Sequence, residues 1–125
     1  MQDERYEKGL ASLQQLLGKE FAPLEAVRQF YPGLAELIVC NGFGDIYSRP
    51  GLDIKQRELV SLSSLISQGA VEQLDFHIDA ALNVGLTPKE IVEVIIHCTA
   101  YVGFPKALSA LMFVMNTFKE RGIKP

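Results

Sequence analysis

Apolar and polar positions alternate along this chain with the period of amphipathic helices. In "DERYEKGLASLQQLL", residues 3 to 17, Tyr6, Leu10, Leu13 and Leu17 recur at three- and four-residue intervals with charges opposite, and Gly18 ends the segment. A turn-like stretch from Phe21 to Phe30 follows. Pro32 then opens a helix through "GLAELIVCNGFGDIYSR", with Leu34, Leu37, Ile38 and Phe43 on its core face and Gly42 and Gly44 weakening its second half. The segment "SRPGL", Ser48 to Leu52, breaks the pattern, because Pro50 disfavours a helical Arg49 and Gly51 invites a turn; Arg49 is thereby displayed on a loop.

Beyond the breaker, Asp53 and Gln56 stand where a capping box would open a helix through Leu59, Leu62, Leu65 and Ile66 to Gly69. A short helix follows in "QLDFHIDAALNVG", with Leu74, Ile78, Ala81 and Leu82 as its apolar stripe and Gly85 as its stop. Thr87, Pro88 and Glu90 supply an N-cap, a first-turn proline and a capping-box acid, so the next helix runs from Pro88 to about Tyr101. Gly103 and Pro105 interrupt it. A last helix spans Lys106 to about Arg121, with Leu108, Leu111, Met112, Met115 and Phe118 facing inward. Strand-like alternation is absent, and 125 residues without a linker or repeat make one all-α domain over 1–125.

Composition narrows the function classes. The richest apolar stretch, "IVEVIIHCTAYVGF", starts beside Lys89 and Glu90 and carries Glu93 and His97, so no membrane span is expected. The polar N-terminus does not resemble a signal peptide, which makes the cytoplasm the expected compartment. A net charge of −3 with scattered Lys and Arg argues against nucleic acid as a partner. Cys40 and Cys98 are too far apart for a CxxC pair, and in a cytoplasmic chain they read as free thiols. Neither an HxH, an HExxH nor a cysteine cluster is present, so a metal site is unsupported, and no Gly-rich loop cradles phosphate.

Three residues carry the candidate chemistry. His77 sits at the margin of its helix's buried stripe, where an imidazole is either a hydrogen-bonded core residue or a general acid and base. Glu58, in "KQRELVSL", is either a solvated carboxylate or, if its helix and that of His77 are antiparallel neighbours, a group that reaches the imidazole. Spacing alone favours Ser61 to Ser64 as level with His77 if the hairpin turns at Gly69. Arg49 is either an ordinary surface arginine or the best anion-binding candidate, since a guanidinium makes forked bonds to a carboxylate. His97 and Cys98 are adjacent and point about 100° apart on a helix, so one is expected in the core and the other partly exposed.

The segments "GDIYSRPGL", "RELVSLSSLISQG" and "EQLDFHIDAALNVGLTPKEIVEVIIHCTAYVGFPKAL", in that order, closely resemble the carboxymuconolactone decarboxylase family. The resemblance covers Gly44 to Leu111 and, more loosely, the N-terminal helix. It implies an all-α, alkylhydroperoxidase-like bundle of about six helices, assembled as a homo-oligomer, usually a hexamer built as a trimer of dimers. The wider superfamily includes thiol peroxidases with a CxxCxxxH motif and a glutamate twelve residues before the first cysteine. Placed on His77, that motif sets its cysteines at Ala70 and Gln73 and its glutamate at Glu58. Without the thiol pair, dithiol peroxidase chemistry is lost while the glutamate and histidine remain.

The decarboxylase branch converts 4-carboxymuconolactone to 4-oxoadipate enol-lactone and CO2 in protocatechuate breakdown, the β-ketoadipate pathway, without a cofactor. The resemblance therefore implies a carboxylated lactone as the small-molecule partner, His77 as proton donor, Glu58 as the group that sets the histidine's orientation and charge, and Arg49 with Ser48 at the substrate. Cys98 and His97 are left as pocket or redox candidates. Three alternatives stay open: a paralogue acting on another lactone or acid, a redox protein of the alkylhydroperoxidase type lacking the CxxC, and a non-catalytic assembly or ligand-binding subunit.

Overall fold

The computed structural model describes residues 2–19 and 21–125. Among them are seven α-helices, one π-helical segment and one 3-10 turn, with no strand. The all-α expectation therefore holds, with one helix more than the sequence pattern suggested. No helix among the described residues is long and apolar enough to cross a membrane. The chain divides into two compact units, Met1–Ile54 and Lys55–Pro125.

In the first unit, α1 (Gln2–Leu17) ends at Gly18, whose φ of +67° suits glycine. The segment expected to be turn-like is a helix, α2 (Ala22–Phe30), with Pro23 in its first turn, Glu25 near its start and Arg28 in its last turn, where charges suit the helix dipole. Leu24 is its one buried residue among those described. α3 (Pro32–Leu37) runs on into a π-helix, Ile38–Ile46. The core face differs from the expected one both in α3 and in the π segment. Leu34 and Leu37 are exposed, Ile38 and Phe43 half-buried, and the buried positions are Ala35, Val39, Cys40 and Gly44. Val39 and Gly44 are five residues apart and share a side because π turns are wider than α turns.

The π segment packs directly on α1. A Cβ on Gly44 would stand 2.4 Å from the Arg5 carbonyl oxygen, and one on Gly9 2.2 Å from that of Val39, so both glycines are where two backbones meet. The stripe α1 buries is accordingly Gly9, Ser12, Leu13 and Leu16, whereas Leu10, expected inside, is largely exposed. Arg5 on α1 closes the contact with hydrogen bonds from Nε and Nη2 to the Asp45 carboxylate at 3.0 and 2.7 Å. This bond and charge hold the Asp45 carboxyl below its ordinary range.

The second unit contains α4 (Ile54–Gln68), a 3-10 turn (Val71–Gln73), α5 (Leu74–Asn83), α6 (Pro88–Val102) and α7 (Phe104–Glu120). Gly69, Gly85 and Gly103 take positive φ at the three reversals. The capping box of α6 forms as expected: Glu90 N–H donates to Thr87 Oγ1 at 3.1 Å and Thr87 N–H to Glu90 Oε1 at 2.8 Å. Leu62, Ile66, Ile78, Ile91 and Ile95 sit in the buried centre of the unit with Phe118.

α7 meets expectation at Phe118, which is in the core, and at Leu111, which packs against it, but departs from it elsewhere. Its buried positions are Ala107, Ala110, Val114, Thr117 and Phe118, while Leu108, Met112 and Met115 are about half exposed or more. Ala107 and Ala110 allow α7 to approach its neighbours closely, with Val114 and Phe118 in the core and Leu108, Met112 and Met115 on the far side. Arg121, after the end of α7, bonds Asp79 and, at 3.2 Å, Asp75, which ties the C-terminal end to α5.

Candidate functional site

Glu58 lies in the second turn of α4 and His77 in the first turn of α5. These helices do not run in close contact along their lengths, contrary to the antiparallel expectation, because Gly69, Ala70 and the 3-10 turn re-aim the chain before α5 begins. The glutamate side chain is long enough to cross the gap. Glu58 Oε1 stands 2.9 Å from His77 Nδ1, with the glutamate side chain 0% and the histidine side chain 14% exposed. The open question of the sequence is answered in favour of contact.

The chemistry of this pair follows from burial. An ionised carboxylate only accepts hydrogen bonds, so bonding to Glu58 puts the proton of a neutral His77 on Nδ1 and leaves Nε2 as the ring nitrogen with a free lone pair. The phenyl ring of Phe76 meets the imidazole edge-on, centroids 4.6 Å apart at 87°, and restricts its tilt. A buried carboxylate thus fixes the orientation of a slightly exposed imidazole. Ala70 and Gln73, where a dithiol would stand, form the turn ahead of α5, with Gln73 N–H donating to Ala70 O at 3.1 Å.

Arg49 and Ser48 belong to the first unit. Both are exposed, on the loop between the π segment and α4, as the breaker predicted. The Arg49 N–H donates to Ile46 O at 3.1 Å, which fixes the loop's start. Ser48 Oγ donates to the Gly44 carbonyl, so its hydrogen is engaged within its own turn and its lone pairs are what it can offer a ligand. The loop walls a cavity of about 440 Å³ that also takes in Lys8 and Ser12 of α1. Neither of those residues was marked by sequence; the available signal was their polar i, i+4 spacing on one helix.

On α6, Cys98 is buried and His97 exposed, as the 100° offset required. The His97 ring lies 5.4 Å from that of Tyr101 and borders a shallow groove with Glu90, Glu93 and Ser63. Cys40 and Cys98 are both free thiols. Among the described residues, no three His, Cys, Asp or Glu side chains are grouped to hold a metal ion.

These features belong to a recognisable class. Residues 32–114 match the model of the Carboxymuconolactone decarboxylase family, and the chain belongs to that family. A 4-carboxymuconolactone decarboxylase of Acinetobacter baylyi is 34% identical over 125 residues, covering 98% of this chain and 93% of the relative. A nitrosuccinic acid decarboxylase of Metarhizium robertsii is 33% identical over 118 residues, covering 92% of this chain and 82% of the relative. An uncharacterized 15.0 kDa protein of Paracoccus denitrificans is 29% identical over 103 residues, covering 81% and 77%. Both relatives with a named activity are decarboxylases, and the protein is a carboxy-lyase of this family.

Proposed function

We propose that this protein removes CO2 from a small carboxylated lactone, 4-carboxymuconolactone, giving 4-oxoadipate enol-lactone, with its own side chains as the only catalytic groups. The observation that carries the reading is the buried hydrogen bond between Glu58 and His77. The match to the Acinetobacter enzyme over nearly the full length of both chains supports the substrate.

Cleavage of the bond to the carboxylate releases CO2 and leaves an electron pair on the ring carbon. The conjugated lactone carbonyl takes up that pair as an extended enolate, which then accepts one proton. His77 supplies the proton from Nε2, Glu58 orients the ring and balances the imidazolium charge, and a solvent proton restores the histidine. Arg49 enters as a carboxylate ligand on the strength of its guanidinium and its loop position.

The nitrosuccinic acid decarboxylase, equally similar within one per cent, favours a second reading in which the substrate is another small acid. A homo-oligomer, with a hexamer as the expected size, forms part of the proposal, supported by the exposed Leu108, Met112 and Met115 on α7; a monomeric mass in sedimentation removes that part.

The test is CO2 release from 4-carboxymuconolactone and from other small acids. A positioned general acid contributes about 10²–10⁴-fold, so His77→Ala is expected to lose at least two orders of magnitude in kcat. Wild-type turnover in that variant, with the helical spectrum intact, sinks the assignment.

A further inference from the structure

The cavity beside Arg49 contains more than that residue's guanidinium. Lys8 and Ser12 from α1 line it one helical turn apart, facing Tyr47, Arg49, Leu52 and Asp53 of the loop. Two cations and one carboxylate give the wall a net charge of +1. Ser12 is 4% exposed, and its hydroxyl takes part in none of the side-chain hydrogen bonds among the described residues. Ser12 is largely buried, but its hydroxyl is not a buried unpartnered atom and so reaches the open cavity, where water or a ligand can serve it.

We infer that Lys8 and Ser12 are binding residues which, with Arg49, hold a small dicarboxylate in the first unit. The inference deepens the reading of Arg49 as a carboxylate ligand and rests on it. Each cation comes from a different element, Lys8 from a helix and Arg49 from a loop, which suits two anionic groups on one ligand. A guanidinium has five N–H donors and an ammonium three, so Arg49 grips one carboxylate in two parallel bonds while keeping other partners. Lys8 meets the second carboxylate alongside its loose ion pair with Glu4 at 3.8 Å. Ser12 donates its hydroxyl proton to one of these oxygens. Asp53 repels an anion at its own side and so confines the carboxylates to the side of the two cations. The apolar Leu52 and the Tyr47 ring give a hydrocarbon spacer a dry surface. A volume of about 440 Å³ falls within the common range for small-molecule sites.

Binding is measured by titration calorimetry at fixed low ionic strength, with succinate and glutarate as dicarboxylates, butyrate as a monocarboxylate and phosphate as a compact anion. At least one diacid is expected to bind about tenfold or more tightly than butyrate and than phosphate, the size of one lost charge-assisted bond. Lys8→Ala should erase the advantage over butyrate, and Ser12→Ala should weaken the diacid severalfold. Lys119→Ala, an exposed lysine on α7 outside the cavity, should bind the diacid as the wild type does. Equal affinity for diacid and butyrate, phosphate binding as tight as the diacid, or a Lys8→Ala variant with unchanged diacid binding overturns the inference, even if the lactone is turned over. Diacid binding that depends on Lys8, with no CO2 released from the lactone, sustains the inference while the proposed reaction fails.

Discussion

Replacing Glu58 by glutamine isolates the charge of the buried carboxylate from its shape. At 2.9 Å, unit charges in a medium of effective dielectric near 20 attract by about 6 kcal/mol, but taking both groups out of water cancels most of this. The useful quantity is a difference. A hydrogen bond to a charged group is worth about 1.5–3 kcal/mol and a neutral one about 0.5–1.5, so the amide forfeits about 1–2 kcal/mol when the imidazolium forms. At 1.4 kcal/mol per decade, Glu58→Gln should lower kcat about tenfold with KM nearly unchanged. Glu58→Ala also loses the orienting contact and leaves a buried cavity, so its kcat should fall towards that of His77→Ala and its melting temperature should drop by several degrees. Initial rates of CO2 release, with a circular-dichroism melt on each variant, decide the matter. Wild-type kcat in Glu58→Gln would show that the carboxylate's charge plays no part. Equal kcat in the glutamine and alanine variants would show that its shape plays none.

Two further predictions concern the scaffold. Gly44→Ala forces a Cβ to within 2.4 Å of the Arg5 carbonyl and should cost about 1–3 kcal/mol, whereas Gly42→Ala, with nothing within 4 Å, should not destabilise; equal melting temperatures refute the close approach of α1 to the π segment. The Thr87 backbone N–H holds the Glu90 carboxyl below its ordinary range. A depressed carboxyl stabilises the fold fully above its unfolded value, about 4.3, and loses that contribution as the pH drops through the folded value. The melting gap between wild type and Glu90→Gln should therefore narrow from pH 7 to pH 3, and a constant gap contradicts the capping-box charge.

Much of the architecture was legible where local chemistry fixes it. Thr87, Pro88 and Glu90 announced the start of α6 because an N-cap, a proline and an acid each satisfy a specific need of a helix terminus. The misjudged faces have two causes. In the first half of α7 the side chains that go inside are small, so a reading that ranks positions by hydrophobic bulk chose Leu108 and Met112 over Ala107 and Ala110. Between Ile38 and Ile46 the period itself changes, and nothing in an α-helical template anticipates five-residue spacing. Glu58 and His77 were legible as candidates through a motif pattern, but their contact depended on a turn whose direction local sequence does not state. Lys8 and Ser12 escaped notice because their meaning comes from a loop some forty residues away along the chain.

The π-helical segment also bears on how this chain can change length. Each of its turns takes up roughly one residue more than an α turn, so over nine residues the winding lags an α-helix by about half a turn. Tyr47 and Arg49 thus leave the segment on the opposite side from the one an α-helix would have given them. Loss or gain of one residue here would swing that loop around the helix axis rather than merely shorten it. Although much of the segment's surface meets solvent, it is a poor place for insertions and deletions, and a natural spot for a lineage to re-aim its ligand loop in a single genetic step.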